Sequence, residues 1–182
     1  MKNYVELAIR TESVISSITN IDFRLLHASL GISTEIGELV HNRTYLGDSD
    51  LQKLNLIEEL GDLNWYIAIA CDVLNLDFNR MIEANISKVL PNNLDVLVIK
   101  SSELLDLFKK NIYYRKNFDY KRIIMIIEDI VSALIELIKE NDLNLDEILD
   151  KNIKKLTARY PNKFDSNKAI NRNLDAEHKT LL

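Results

Sequence analysis

The sequence predicts an all-α protein whose core is a four-helix bundle, assembled from two degenerate helical-hairpin repeats with flanking helices. Three observations predict it. Four Gly and two Pro among 182 residues come to about 3%, against roughly 12% in average usage, so the chain has too few turn residues for a β-sandwich or barrel. Apolar residues recur at helical rather than alternating spacing along most of the length. Short patterns in the first half return in the second at a nearly constant offset.

Each element follows from local signals. Val5, Ala8, Ile9, Val14, Ile15 and Ile18 form one face of a first helix over Tyr4–Ile18. A second helix runs from Phe23 to about Arg43, and a third from Leu51 to Leu74. Asp77 can accept hydrogen bonds from first-turn amides and so caps a shorter helix ending near Leu90. Pro91-Asn92-Asn93 stops the pattern and is the clearest internal boundary. Helices then span Leu94–Ile112, Asp119–Glu140 and Asp146–Arg159, and Tyr160-Pro161 ends the last. The chain reads as a single domain over 1–182, with halves of about 23–90 and 94–160 and a polar tail over 161–182.

The halves are matched by three patterns. Asn85-Ile86-Ser87-Lys88 pairs with Asn152-Ile153-Lys154-Lys155 at an offset of 67. Leu74-Asn75-Leu76-Asp77 pairs with Leu143-Asn144-Leu145-Asp146 at 69, and Glu35-x-x-Glu38 with Glu103-x-x-Asp106 at 68. Duplicated hairpins are expected to face each other about a pseudo-twofold axis, which buries both apolar faces.

Composition narrows the function classes. A chain that is 47% hydrophobic and 28% charged is globular rather than disordered. Lys and Arg number 23 against 28 Asp and Glu, a net charge of −5, the wrong sign for a duplex-wrapping nucleic-acid binder. Cys71 is the single cysteine, which excludes intrachain disulfides and Cys-based zinc sites and favours a reducing compartment. The most apolar stretch, Ile123–Ile138, is broken by Glu128, Asp129 and Glu136 and is too short to span a bilayer. A cytoplasmic protein with neither membrane nor nucleic acid as partner is expected.

Two acidic motifs carry the chemistry. Glu35-Ile36-Gly37-Glu38 and Glu59-Leu60-Gly61-Asp62 each put carboxylates at i and i+3, on one helix face. Each pair borders an apolar stripe, Leu30, Ile32, Ile36 and Leu39 in one and Leu56, Ile57, Leu60 and Leu63 in the other. Burying four uncompensated carboxylates is costly, so a cation is expected between them. A solvated amphipathic face is the ordinary explanation of any single such pair. Two pairs on consecutive helices, each enclosing a Gly that costs roughly 1 kcal/mol relative to Ala inside a helix, instead suggest close helix approach or room for a ligand. Oxygen-only ligands indicate Mg²⁺, with Mn²⁺ as a substitute, and Mg²⁺ bridges readily to phosphoanhydrides.

The run from Leu25 to Leu39, with its Glu35-x-x-Glu38, followed by Glu58-Glu59-Leu60-Gly61-Asp62-Leu63-Asn64-Trp65-Tyr66, resembles the MazG-like nucleotide pyrophosphohydrolases. These belong to the all-α nucleoside triphosphate pyrophosphatases, with dimeric dUTPases and dCTP pyrophosphatases as relatives. Asn152 to Pro161 resembles the end of a MazG-like domain, and Asn171 to Glu177 the tails of short, often phage-encoded members. The resemblance implies that Glu35, Glu38, Glu59 and Asp62 hold Mg²⁺, that Tyr66 lines the nucleotide pocket, and that Asn152, Lys155 and Arg159 contact phosphate or sugar. It implies attack of a metal-activated water on a nucleoside triphosphate, giving monophosphate and pyrophosphate, with Glu35 or Glu38 as general base. A homodimer is compatible with it. A non-hydrolytic nucleotide-sequestering protein and a (p)ppGpp-type alarmone hydrolase are the alternatives.

Carried into the second half, the offset of 67 matches Asp62 with Asp129, but Glu59 with Ile126 and Tyr66 with Ala133. Glu103 and Asp106 keep the first acidic pair. One competent site per chain is expected, although a small register shift would recruit Glu128 to a second. Other residues have ordinary explanations. Glu38-x-x-His41 matches a di-iron motif that here lacks its second copy, His27, Trp65 and Tyr4 suit core positions, and Lys109, Lys110, Arg115 and Lys116 suit a solvated helix end.

Overall fold

The computed structural model describes residues 3–11, 21–45, 50–88, 93–114, 116–161, 163–165, 167, 170, 171 and 177. The fold is all-α, with seven helices and no strand among the described residues. They are α1 (Tyr4–Ile9), α2 (Ile21–Tyr45), α3 (Asp50–Val73), α4 (Phe78–Asn85), α5 (Asn93–Tyr114), α6 (Tyr120–Glu140) and α7 (Leu145–Arg159). The first helix ends at Ile9, with Arg10 and Thr11 in a turn, rather than running on without a break toward Ile18, and α4 ends at Asn85 rather than near Leu90. Residues 12–20, the boundary at Pro91 and most of the 161–182 tail lie outside the described residues.

Helix starts follow from side-chain caps. Asp77 accepts a hydrogen bond from the Arg80 amide, Asp119 from the Arg122 amide and Asn144 from the Glu147 amide, each satisfying a donor that has no partner within its helix. The last helix therefore begins one residue earlier than Asp146, because Asn144 is its cap.

α2 and α3 form one hairpin and α5 and α6 another, and α2 packs on α5 to join them. Their facing sides bury Leu25, Ile32, Ile36, Leu60, Leu63, Ile67, Leu97, Leu104, Ile123, Ile127, Ile130 and Leu134. The short helices cross over, with α7 lying against α3 and α4 against α6.

The crossing has a regular internal register. Asn75 and Asp142 both take left-handed backbone, with φ 55° and 52°. The Leu76 amide donates to Cys71 O at 2.9 Å, and the Leu143 amide to Ile138 O at 3.1 Å. These bonds close the C-termini of α3 and α6 with the same αL turn, and all of these pairs stand 67 residues apart, as do the caps Asp77 and Asn144. The pattern matched at 69 in the sequence is thus two residues out of structural register. The helix caps correct it.

α1 lies on α3. Trp65 Nε1 donates to Ala8 O at 2.9 Å and to Thr11 Oγ1 at 3.1 Å. Tyr4 Oη donates to Asn152 Oδ1 at 3.3 Å and contacts Gly61 O at 3.5 Å. Trp65 and Tyr4 are therefore core residues that tie α1 to α3 and α7. No described helix is long and apolar enough to cross a membrane.

Candidate metal centre

The α2–α3 hairpin brings three of the expected carboxylates together. One oxygen each from Glu35, Glu38 and Glu59 falls within 4.8 Å of the others, the sole group of at least three His, Cys, Asp or Glu with that geometry among the described residues. Glu35 and Glu59 are half-buried and Glu38 is exposed. Neither His41 nor Glu128 belongs to the group.

The electrostatics are those of carboxyl groups that repel one another. Burial, the hydrogen bond that the protonated Glu59 donates to Glu35 and the charges of Glu38, Glu35 and Asp62 push the Glu59 carboxyl up to about 10. Burial and Asp62 push Glu35 to about 7, with Glu38 adding to the rise against the hydrogen bond to Glu59 and the charge of Lys155. Two carboxyl groups can hydrogen-bond each other only if one carries a proton. At neutral pH the pair therefore holds a proton that a bound cation would replace. Three oxygen donors with no nitrogen or sulfur suit a hard divalent cation such as Mg²⁺ or Mn²⁺.

Asp62 stands beside this group and is held by α7. Lys155 Nζ lies 2.5 Å from Asp62 Oδ2 and 3.2 Å from Glu58 Oε1, and Asn152 Nδ2 donates to Asp62 Oδ1 at 2.7 Å. Burial alone would lower the Lys155 pKa, but Asp62 and Glu58 outweigh it and raise the ammonium instead. Each carboxylate oxygen retains a further acceptor position, so Asp62 can still face a cation. Asn152 and Lys155, which the resemblance sets against phosphate or sugar, are both bonded to Asp62. Arg159, the third residue of that set, makes a bidentate ion pair with the buried Glu177.

Tyr66, one turn beyond Asp62, has its ring 5.6 Å from His27 and 4.8 Å from Trp65, both edge to face. Burial and the charges of Glu35, Asp62 and Glu38 push its phenol up to about 12. The ring fits because residue 31 is Gly, where an added Cβ would come within 2.1 Å of Tyr66 Cε1. The two motif glycines differ. At Gly61 a Cβ would meet the Asn152 side chain at 3.0 Å, so α7 approaches closely there, whereas nothing lies within 4 Å at Gly37. Close approach accounts for one glycine and open space surrounds the other.

The corresponding acids of the second half are neutralised by protein cations. Glu103 pairs with Arg122 at 2.7 Å and Lys100 at 3.3 Å, and Asp129 with Lys88 at 2.5 Å and Lys100 at 3.3 Å. Lys109 and Lys110 both bind Asp106, and their hydrogen bonds lower its pKa to about 2. Burial works to raise the Asp129 pKa, but the hydrogen bonds from Lys88 and Lys100 outweigh it and hold it down. Where the first half has Glu59 and Tyr66, the buried Ile126 and Ala133 fill the core.

Glu58, Tyr4, Glu177 and Gly31 were not among the expected site residues. Glu58 stands next to Glu59 in the sequence, but nothing local signals that it meets Lys155. No protein-family model, curated protein or solved structure matches the chain.

Proposed function

We propose that this protein is a Mg²⁺-dependent nucleotide pyrophosphohydrolase that converts a nucleoside triphosphate to the monophosphate and pyrophosphate. The observation that carries the reading is the convergence of Glu35, Glu38 and Glu59 oxygens within 4.8 Å. The resemblance of the two acidic motifs to MazG-like enzymes gives that centre a substrate class.

Glu35, Glu38 and Glu59 would hold the metal, with Asp62 completing the set. When bound, the ion neutralises phosphate charge and lowers the pKa of a coordinated water. Lys155 and Asn152 orient Asp62. Glu35 or Glu38 accepts the proton of the attacking water, a role that needs a carboxylate within hydrogen-bond reach. Tyr66 forms the wall of the nucleotide site above the carboxylates. The charge of Arg159 acts on both Tyr66 and Asp62, and this side chain meets substrate phosphate once released by Glu177.

The experiment is pyrophosphate release over the common NTPs, dNTPs and guanosine tetraphosphate, with Glu38→Gln as control. Release that needs Mg²⁺ and is lost in the variant is expected. Tight metal-dependent binding with no release from any substrate would replace the enzyme by a nucleotide-sequestering protein.

A further inference from the structure

The last residue of α7 is held by a carboxylate from the tail. Asn152, Lys155 and Arg159 stand at i, i+3 and i+7 of that helix and so share one face. The first two bond Asp62, and the charge of Arg159 acts on both Asp62 and Tyr66. The guanidinium therefore lies within electrostatic reach of the carboxylate centre, yet its ion-pair partner is Glu177. Arg159 Nε donates to Glu177 Oε1 at 2.8 Å and Nη2 donates to Glu177 Oε2, across 18 residues of chain.

Burial sets this pair apart. Among the described residues beyond Phe164, Asp165, Asn167, Ile170 and Asn171 are exposed and Glu177 alone is buried. Ile170 is 79% exposed and Glu177 2%, whereas the hydrophobic effect would bury the isoleucine and leave the acid in water. The tail thus brings a carboxylate inward to a cation. Two parallel N–H···O bonds to a carboxylate have the geometry that a guanidinium also uses for two phosphate oxygens. A buried pair of this kind contributes little net stability, because desolvation of both ions offsets their attraction. Exchange of one oxyanion for another keeps Arg159 paired and returns the Glu177 carboxylate to water, so no buried charge is stranded.

We propose that Glu177 is a built-in competitor of the substrate: its carboxylate occupies the place on Arg159 that a phosphate group of the nucleotide takes, and it must withdraw before that phosphate binds. This rests on the reading of the carboxylate centre as the metal end of the same site. A triphosphate presents more negative charge to Arg159 than one carboxylate does, and it displaces Glu177. Only molecules in which Glu177 has withdrawn bind substrate fully, so the apparent affinity is the intrinsic one reduced by their fraction.

Two measurements test it. In Mg²⁺-dependent pyrophosphate release, Glu177→Gln, which removes the charge and keeps the size, is expected to lower KM roughly threefold or more with kcat unchanged. An unchanged or raised KM in the folded variant is the result of a contact that only fastens the tail, and it would overturn the proposal. The second measurement needs no variant. Tripolyphosphate with Mg²⁺ is titrated into the wild-type protein and followed by the Arg159 Nε–H and Glu177 backbone amide signals in a two-dimensional NMR spectrum. Both signals are expected to move along one binding curve, the Glu177 amide toward its position in an unfolded chain. An Arg159 signal that stays in place throughout the titration, or one that moves while the Glu177 amide does not, would overturn the proposal. If no nucleotide is hydrolysed the proposed reaction fails, while the titration still decides whether an oxyanion displaces Glu177.

Discussion

Lys155 Nζ lies 2.5 Å from Asp62 Oδ2 with the lysine side chain wholly buried, and 67 residues earlier Lys88 Nζ lies 2.5 Å from Asp129 Oδ1 with its side chain 42% exposed. The two pairs occupy corresponding places in the two halves and differ in burial. Lys155 also pairs with Glu58, so its removal strands two partly buried carboxylates.

Breaking a buried ion pair from one side costs about 3–5 kcal/mol, and an exposed pair about 0–1 kcal/mol. Lys155→Met is therefore expected to lower urea-unfolding stability by an amount in the first range, and Lys88→Met by one in the second. Equal losses would show that burial does not distinguish the two pairs.

Much of this was legible in the sequence. Glu35, Glu38 and Glu59 could be brought together on paper because i,i+3 spacing and consecutive helices dictate it, and the cap residues Asp77 and Asp119 announced their helices. The α3–α7 contacts could not, because Tyr4 and Asn152 are 148 residues apart and Asn152 and Asp62 are 90. No local signal marks such a bond. The resemblance names Asn152 and Lys155 as phosphate or sugar contacts and the acidic motif names Asp62, but the bonds between them emerge only from packing.

The glycines separate packing from propensity. Gly31→Ala drives a methyl into the Tyr66 ring and is expected to destabilise by about 1–3 kcal/mol. Gly37→Ala meets no neighbour and is expected to stabilise α2 by up to about 1 kcal/mol. Thermal melts of the two variants should shift in opposite directions, and a loss at both would contradict the open space at Gly37.

The metal-free protein should lose stability as pH rises. Glu59 and Glu35 have folded-state values raised to about 10 and about 7 from an ordinary 4.5, so between 4.5 and those values the folded state binds more protons than the unfolded. The stabilisation they give is complete below pH 4.5 and is lost as pH rises through the folded values. Between pH 5 and pH 8, Tm in a metal chelator is expected to fall by several degrees, at roughly 2–4 °C per kcal/mol for a chain of this size. Glu59→Gln should flatten the profile, and so should excess Mg²⁺. A Tm that rises over this interval in the wild type would contradict the raised values.

In the proposed function the first-half carboxylates, and not their second-half counterparts, hold a divalent cation. Mn²⁺ titration followed by electron paramagnetic resonance, with a non-hydrolysable nucleoside triphosphate present, tests it most directly. Binding is expected to be lost in Glu59→Gln and retained in Asp129→Asn, because Asp129 is already paired with Lys88 and Lys100. Undiminished binding in Glu59→Gln, or equal losses in both variants, would contradict the account.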